Sequence, residues 1–217
     1  MTNDGRRDVA TRKITLFHKL ARGLVQLGLK PNTVSILSSV FAIIGGICFG
    51  KSFGAEAPTQ IALLGVGVLC IQLRLICNLI DGLMAVECGL KTASGEIFND
   101  VPDRISDVAF IVGAGIFAQS FAPWVIHLAW LGAIFAVLTA YVRVLGTSMN
   151  DSHDFSGPMA KQHRMFLLTL GAVGGIAEVW LAAPAYTMSL ALVFVTVGSA
   201  TTCGRRLNRL YRDLEKK

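Results

Sequence analysis

The sequence predicts an all-α, polytopic membrane protein with six transmembrane helices and an N-terminal interfacial amphipathic helix. Three observations carry that expectation. The 217 residues are 53% hydrophobic and only 16% charged, with a mean hydropathy of +0.58, above the range of a water-soluble domain of this size. The apolar residues fall in blocks rather than stripes, and several blocks reach the roughly 20 residues a helix needs to cross a hydrocarbon core about 30 Å thick. The connectors are short or polar, and a backbone crossing lipid must satisfy its own hydrogen bonds, which favours helices over an open sheet. No Pro/Ser-rich linker or repeat divides the chain. One membrane domain (33–204) is therefore expected between a cytoplasmic, interfacial segment (1–32) and a basic cytoplasmic tail (205–217).

The first 30 residues hold Arg6, Arg7, Arg12, Lys13, Lys19, Arg22 and Lys30 and no apolar run with a cleavage site, so no cleavable signal is expected. From Arg7 to Leu29, Phe17, Leu20, Leu24 and Leu27 recur at helical spacing, with the basic residues on other faces. That pattern predicts a helix lying on an anionic lipid surface; the alternative is a solvated tail. Spans follow at 33–49, 60–80, 104–121, 124–145, 165–183 and 186–203. Basic residues set the orientation. Those of the N-terminus, with Arg205, Arg206, Arg209, Arg212, Lys216 and Lys217, stay cytoplasmic, whereas the connectors near Lys51, Ala122 and Pro184 hold a single Lys. Both termini and the connectors at 81–103 and 146–164 then face the cytoplasm of a bacterial-type inner membrane. The net charge of +6 comes from residues flanking spans, not interleaved with aromatics, which points to membrane lipids rather than nucleic acid. The five cysteines are odd in number, lack CxxC spacing and mostly fall inside spans, as packing residues do.

The stretch from Arg74 to Asp107 carries the chemistry. Arg74, Asn78, Asp81 and Ala85 are spaced four, three and four apart and share a helix face; Asn99, Asp103 and Asp107 repeat at four and share another. Packed together, two such faces converge their oxygens, the environment that hard cations such as Mg²⁺ or Mn²⁺ take, completed by phosphate and water. Acids within membrane helices mark functional sites by default.

Written as N-x2-D-G-x2-A-x9-G-x3-N-x3-D, the residues Asn78, Asp81, Gly82, Ala85, Gly95, Asn99 and Asp103 resemble the signature of the CDP-alcohol phosphotransferase family, D-x2-D-G-x2-A-R-x8-G-x3-D-x3-D. The register matches throughout, and the basic segment before the first span, Pro31-Asn32-Thr33 at its start and the six spans agree with it. The resemblance implies transfer of a phosphatidyl or other substituted phosphate group from a CDP-alcohol such as CDP-diacylglycerol to a small hydroxyl acceptor, with release of CMP. It implies Mg²⁺ or Mn²⁺ held at the positions of Asn78, Asp81, Asn99 and Asp103. Asp103 would be the catalytic residue that takes the acceptor's proton. Gly82, Ala85 and Gly95 match the small positions where the nucleotide approaches the backbone. A homodimer is implied by the resemblance alone.

Three positions depart from the pattern: Asn78 and Asn99 replace acids, and Val86 replaces the Arg. An amide oxygen still ligates a hard metal, but the set falls from a formal −4 to −2. At 4 Å and an effective dielectric near 20, a unit-charge attraction is worth about 4 kcal/mol, so two dications become harder to hold. One tightly bound metal, or a second only with substrate, is expected, with Asp100, Asp107, Glu87 and Glu96 available to compensate. A site that has lost catalysis and serves as a nucleotide-lipid-binding or membrane partner protein is the alternative reading.

Arg74 and Arg104 are candidates to replace the missing phosphate-facing Arg. Arg74 can equally form a structural salt bridge to Asp81 or Asp107, and Arg104 can extend to the interface. The resemblance implies that Arg143, Lys161 and Arg164 are candidates to bind the acceptor, often its phosphate, the alternative being cytoplasmic anchoring charge. His153 and His163 lack metal-binding spacing and are expected at the surface. No G-x-S-x-G, Walker A or G-x-G-x-x-G motif is present in a fitting context. Gly113-Ala114-Gly115 and Gly171–Gly175 lie in apolar blocks, as close-packing residues do. A transporter is a weaker reading, because the polar residues gather near one membrane face.

Overall fold

Proline sets the start of the first two long helices, where its missing N–H has no intrahelical partner to lose. In the computed structural model, which describes residues 15–150 and 154–216, α2 (Pro31–Ser52) begins on Pro31 and α3 (Ala57–Glu87) begins one residue before Pro58. They follow a short α1 (Thr15–Gln26) and precede α4 (Gly95–Ala118), α5 (Val125–Asn150), α6 (Lys161–Trp180) and α7 (Tyr186–Leu214). The described residues are helical apart from these short connections.

Four of these helices, α2, α3, α5 and α7, are long and apolar enough to cross a membrane. Their outward faces carry exposed Ile36, Ile43, Ile47, Leu69, Leu131, Ile134, Phe194 and Val197, an arrangement stable against lipid rather than water. The chain is thus an integral membrane protein. In α4 and α6 charged residues interrupt the apolar run. After Asp107, α4 continues apolar only from Val108 to Ala118, about 16 Å of helix at 1.5 Å per residue.

Helices extend beyond the spans that hydropathy marks. The 81–103 connector shrinks to 88–94, because α3 continues to Glu87 and α4 begins at Gly95 rather than near 104. The 146–164 connector is likewise shortened at both ends, by α5 reaching Asn150 and α6 starting at Lys161. Residues 205–214, expected as tail, continue α7. Asp81, Asp103, Lys161, Arg164 and Arg206 sit on helix faces that have partners inside the protein, and Thr147 and Ser148 donate to carbonyls of α5 itself, so polarity lowers the hydropathy without ending the helix. The predicted N-terminal helix from Arg7 is described only as α1. Residues 1–14, with Arg6, Arg7, Arg12 and Lys13, lie outside the described residues, as do Asp151, His153 and Lys217.

The long helices close into a ring in the order α2, α3, α6, α7, α5, α4 and back to α2, and α4 also reaches across to α6 and α7. Phe49, Leu64, Phe110, Phe117, Leu168, Met188 and Leu192 fill its core. The α2–α4 seam is the tightest: a Cβ on Gly113 would collide with the carbonyl of Gly46, and one on Gly46 with the carbonyl of Ala109, so only glycine allows this approach. α1 lies against α3 with Ala21 buried and Phe17, Leu24 and Val25 packed on Val34, Ile80, Leu83 and Met84. His18 hydrogen-bonds Glu87 across the same contact. The cysteines are free thiols, with Cys70 and Cys77 buried.

Candidate functional site

The connectivity brings the end of α3, the start of α4 and the start of α6 to the same end of the ring. Their polar faces meet around Asp103, which is 5% exposed. Its Oδ1 accepts hydrogen bonds from Arg74 Nη2 at 2.9 Å and Asn78 Nδ2 at 3.1 Å. Its Oδ2 accepts one from Lys161 Nζ at 2.6 Å, with Arg104 Nη2 at 3.8 Å. One turn further along α4, the fully buried Asp107 pairs through Oδ2 with Arg164 Nη2 at 2.7 Å, and Arg164 Nη1 also donates to the Met159 carbonyl. Asp81, buried on α3, accepts from Ser35 Oγ of α2 at 2.6 Å and lies within the electrostatic reach of Lys161 and Asp103.

Such burial is tolerable only because each charge has a partner. Asp81, Asp103 and Asp107 stand among Arg74, Arg104, Lys161 and Arg164, so the cluster carries a small excess of positive charge. Arg74 is completely buried, and its Nε and Nη1 have no hydrogen-bond partner among the described residues; the same holds for Arg104 Nε and Asp107 Oδ1. Unused donors on buried guanidiniums beside a carboxylate suit a polyanionic ligand.

The other candidates are distributed as follows. Asn78 joins the cluster as a donor to Asp103, while Asn99 is exposed near the start of α4. Gly82 and Ala85 are half-buried on α3 beside Asp81. Gly95 opens α4, and a Cβ there would make only ordinary contact with Thr92, so close packing does not require glycine at this position. Arg143 stands apart from Asp103. It pairs with Asp100, Nη2 lying 2.8 Å from both carboxylate oxygens, and its guanidinium lies 5.6 Å from the Phe155 ring centre. His163 is exposed, near the Pro158 carbonyl.

Sequence reasoning passed over Ser35 and Arg206. Ser35 belongs to a buried stripe on α2 (Ser35, Ser38, Ser39, Ala42, Gly45, Gly46) whose helical spacing was the available signal. Arg206, grouped with tail charges, donates from Nε to the Ser156 carbonyl and from Nη1 to the Thr139 carbonyl. With Thr202 accepting the Met159 N–H at 3.0 Å and Arg209 pairing with Asp154 at 3.4 Å, it straps the 154–160 segment to α7.

Among the described residues no group of three or more His, Cys, Asp or Glu is arranged to hold a metal ion. Asp81 and Asp103 are carboxylates within electrostatic reach of one another, the oxygen chemistry that suits a hard divalent cation whose shell phosphate oxygens complete, while Asn78 turns its amide N–H toward Asp103 and Asn99 is exposed. Their formal −2 does not match two such ions.

No family model matches the chain. Relatives are found among curated proteins. The chain is 24% identical to phosphatidylinositol phosphate synthase of Mycobacterium marinum, over 87% of this chain and 76% of that one. It is 24% identical to the Streptomyces avermitilis protein of the same name, over 98% and 84%. The E. coli K12 inner membrane protein YnbA is 28% identical, over 52% of this chain and 55% of YnbA, so the match spans about half of that relative. Among solved structures, Mycobacterium tuberculosis phosphatidylinositol phosphate synthase with CDP-DAG bound superposes with a TM-score of 0.76 at 21% identity, covering 91% of this chain and 94% of that one. The same enzyme in complex with manganese and citrate gives 0.73 at 22% identity, over 90% and 88%. The chain has the fold of these synthases. They belong to the CDP-alcohol phosphotransferase family, whose signature the residues Asn78 to Asp103 resemble.

Proposed function

We propose that this protein is a CDP-alcohol phosphatidyltransferase of phospholipid biosynthesis. It would move a phosphatidyl group from a CDP-alcohol, CDP-diacylglycerol foremost, to a hydroxyl acceptor and release CMP. The observation that carries the reading is the placement of Asp103: a buried carboxylate gripped by cations from α3, α4 and α6, in the register of the family signature, at one end of an apolar helix ring.

The chemistry asks for positioning and charge neutralisation. The acceptor oxygen bonds to the phosphorus that carries the lipid, the phosphoanhydride P–O bond breaks, and CMP leaves with the electron pair while Asp103 takes the acceptor's proton. Arg74, Arg104 and Lys161 present positive charge to the diphosphate, and Ser35 fixes the orientation of Asp81 by donating to its carboxylate. Arg143, Lys161 and Arg164 are the candidate cations toward the acceptor. Asn78, Asp81, Asn99 and Asp103 would hold Mg²⁺ or Mn²⁺, which when bound supplies Lewis-acid neutralisation of the diphosphate.

Six spans, α2 to α7, with α1 at the interface and the site and both termini cytoplasmic, complete the proposal. The gathering of Lys19, Arg22, Lys30, Lys91, Lys161, Arg205, Arg209 and Arg212 at one end, against Lys51 at the other, supports that orientation. A homodimer is proposed on the likeness to the family.

Purified protein in detergent, given CDP-diacylglycerol, Mg²⁺ or Mn²⁺ and a panel of acceptors (glycerol 3-phosphate, inositol phosphate, serine, a sugar alcohol), should release CMP with at least one of them. Asp103→Asn should lower that rate by roughly 10²–10⁴-fold. A wild-type protein inert toward every acceptor, or an unaffected Asp103→Asn, would remove the assignment in favour of a non-catalytic nucleotide-lipid-binding protein.

A further inference from the structure

We infer that the ammonium group of Lys161 stands in for one divalent cation, so that the site takes up a single metal ion and holds it tightly only together with a diphosphate. This rests on the transferase reading and concerns how this chain, with two amides in its signature, balances charge.

Three observations lead there independently. First, Asn78 and Asn99 remove two negative charges from the four-residue set, leaving Asp81 and Asp103. Second, Lys161 Nζ sits 2.6 Å from Asp103 Oδ2 and within electrostatic reach of Asp81 and Asp107, a cation already lodged among the carboxylates. Arg74 lies 2.9 Å from the other oxygen of Asp103, so two of the chain's own cations hold that carboxylate, while Asp81 is hydrogen-bonded by Ser35. Third, Lys161 is the first residue of α6. A helix N-terminus carries partial positive charge and disfavours a cation, so a lysine turned inward there needs the carboxylates that surround it.

In a two-metal site the dications bring four positive charges to four acids. Here Lys161, Arg74 and Arg104 bring three positive charges to Asp81 and Asp103, so any dication enters in excess. A diphosphate supplies the missing negative charge and oxygen ligands, which makes metal and donor bind together. Lys161 thereby acts as a positioning residue: it holds Asp103 by one oxygen and sets how many ions the site accepts.

The test measures Mn²⁺ binding without turnover, by electron paramagnetic resonance of free Mn²⁺ and by calorimetry, on detergent-purified protein with no acceptor. Wild type should bind Mn²⁺ weakly alone and gain one tight equivalent when CDP-diacylglycerol is added. Lys161→Met should bind Mn²⁺ in the empty protein roughly tenfold or more tighter than wild type, because one positive charge is gone within a few ångströms. Lys161→Arg, which keeps the charge, should stay as weak as wild type and serves as the control for folding. The triple change Asn78→Asp, Asn99→Asp, Lys161→Met should bind two equivalents. Two tight equivalents in empty wild type would overturn the proposal, as would Lys161→Met binding no tighter than Lys161→Arg. CMP release is read separately: metal behaviour as described in a wild type that releases no CMP would sink the transferase reading and leave the charge substitution standing.

Discussion

Replacing Arg164 with Met tests whether this residue serves the ring's stability or the acceptor. The Arg164 and Asp107 side chains are 3% and 0% exposed and meet at 2.7 Å, while the second oxygen of Asp107 already has no partner among the described residues. Without Arg164 the carboxylate remains buried with neither oxygen paired. Breaking a buried pair from one side costs about 3–5 kcal/mol, because the remaining charge has lost its counterion. For a chain of 217 residues each kcal/mol shifts the midpoint by about 2–4 °C, so Arg164→Met should lower the apparent Tm in detergent by about 6–20 °C. Adding Asp107→Asn removes the orphaned charge and should restore at least half of the loss, about 1.5–2.5 kcal/mol, so that the two changes are far from additive. The assay is thermal unfolding followed by tryptophan fluorescence across the double-mutant cycle. A midpoint within about 2 °C of wild type for Arg164→Met, or a double variant whose losses simply add, would refute the structural role. Loss of CMP release without loss of stability would move Arg164 to the acceptor.

Further outcomes follow from the same geometry. Ser35→Ala removes the donor to Asp81 and, since a hydrogen bond to a charged group is worth about 1.5–3 kcal/mol, should lower kcat/KM for CMP release by about tenfold or more with the fold retained. Gly113→Ala places a methyl group against the Gly46 carbonyl and should destabilise the α2–α4 seam by about 1–3 kcal/mol, read as a lower Tm; an unchanged Tm would contradict that packing. At Asp154, burial raises the carboxyl pKa, but the Ser156 hydrogen bonds and the charges of Arg209 and Arg206 outweigh it and hold the group below its ordinary range. A depressed folded-state value means that the stabilisation is present above the unfolded value near 3.9 and is lost as pH falls through the lower folded value. Protease sensitivity of the 154–160 segment should therefore stay flat from pH 7 to about 5 and rise only at still lower pH, and Asp154→Asn should abolish that rise.

Hydropathy located all six long helices but not their ends. It responds to the average composition of a window, whereas a helix ends where backbone and packing partners end. Glu87 and Gly95 border a connector far shorter than the polar stretch around it, because Asp81 and Asp103 face inward from helices rather than standing in a loop. Spacing alone grouped Arg74, Asn78 and Asp81 on one face and Asp103 with Asp107 on another. It did not reveal that Lys161, 58 residues from Asp103 and set among ordinary anchoring charges, reaches the same carboxylate. Nor did it show that Arg143, a candidate for the acceptor, pairs with Asp100, or that Arg206, grouped with the tail charges, holds the backbone of two other segments. Partners brought together by ring closure leave no local periodicity to read.

The short apolar stretch of α4 bears on how the protein enters its membrane. In the proposed six-span arrangement, with Asp103 and Asp107 facing inward and only Val108 to Ala118 uninterrupted, this segment would be a poor substrate for the translocon, on whose scale a central Asp costs roughly 3 kcal/mol. Arg74 precedes it in synthesis, but Arg164 emerges 57 residues after Asp107, some 3–11 s later at ordinary elongation rates. Until then α4 has half its counterions. Nascent chains halted before α6 should leave α4 at the membrane surface, open to water-soluble thiol reagents at an engineered Val112→Cys, and chains carried past Arg164 should protect it.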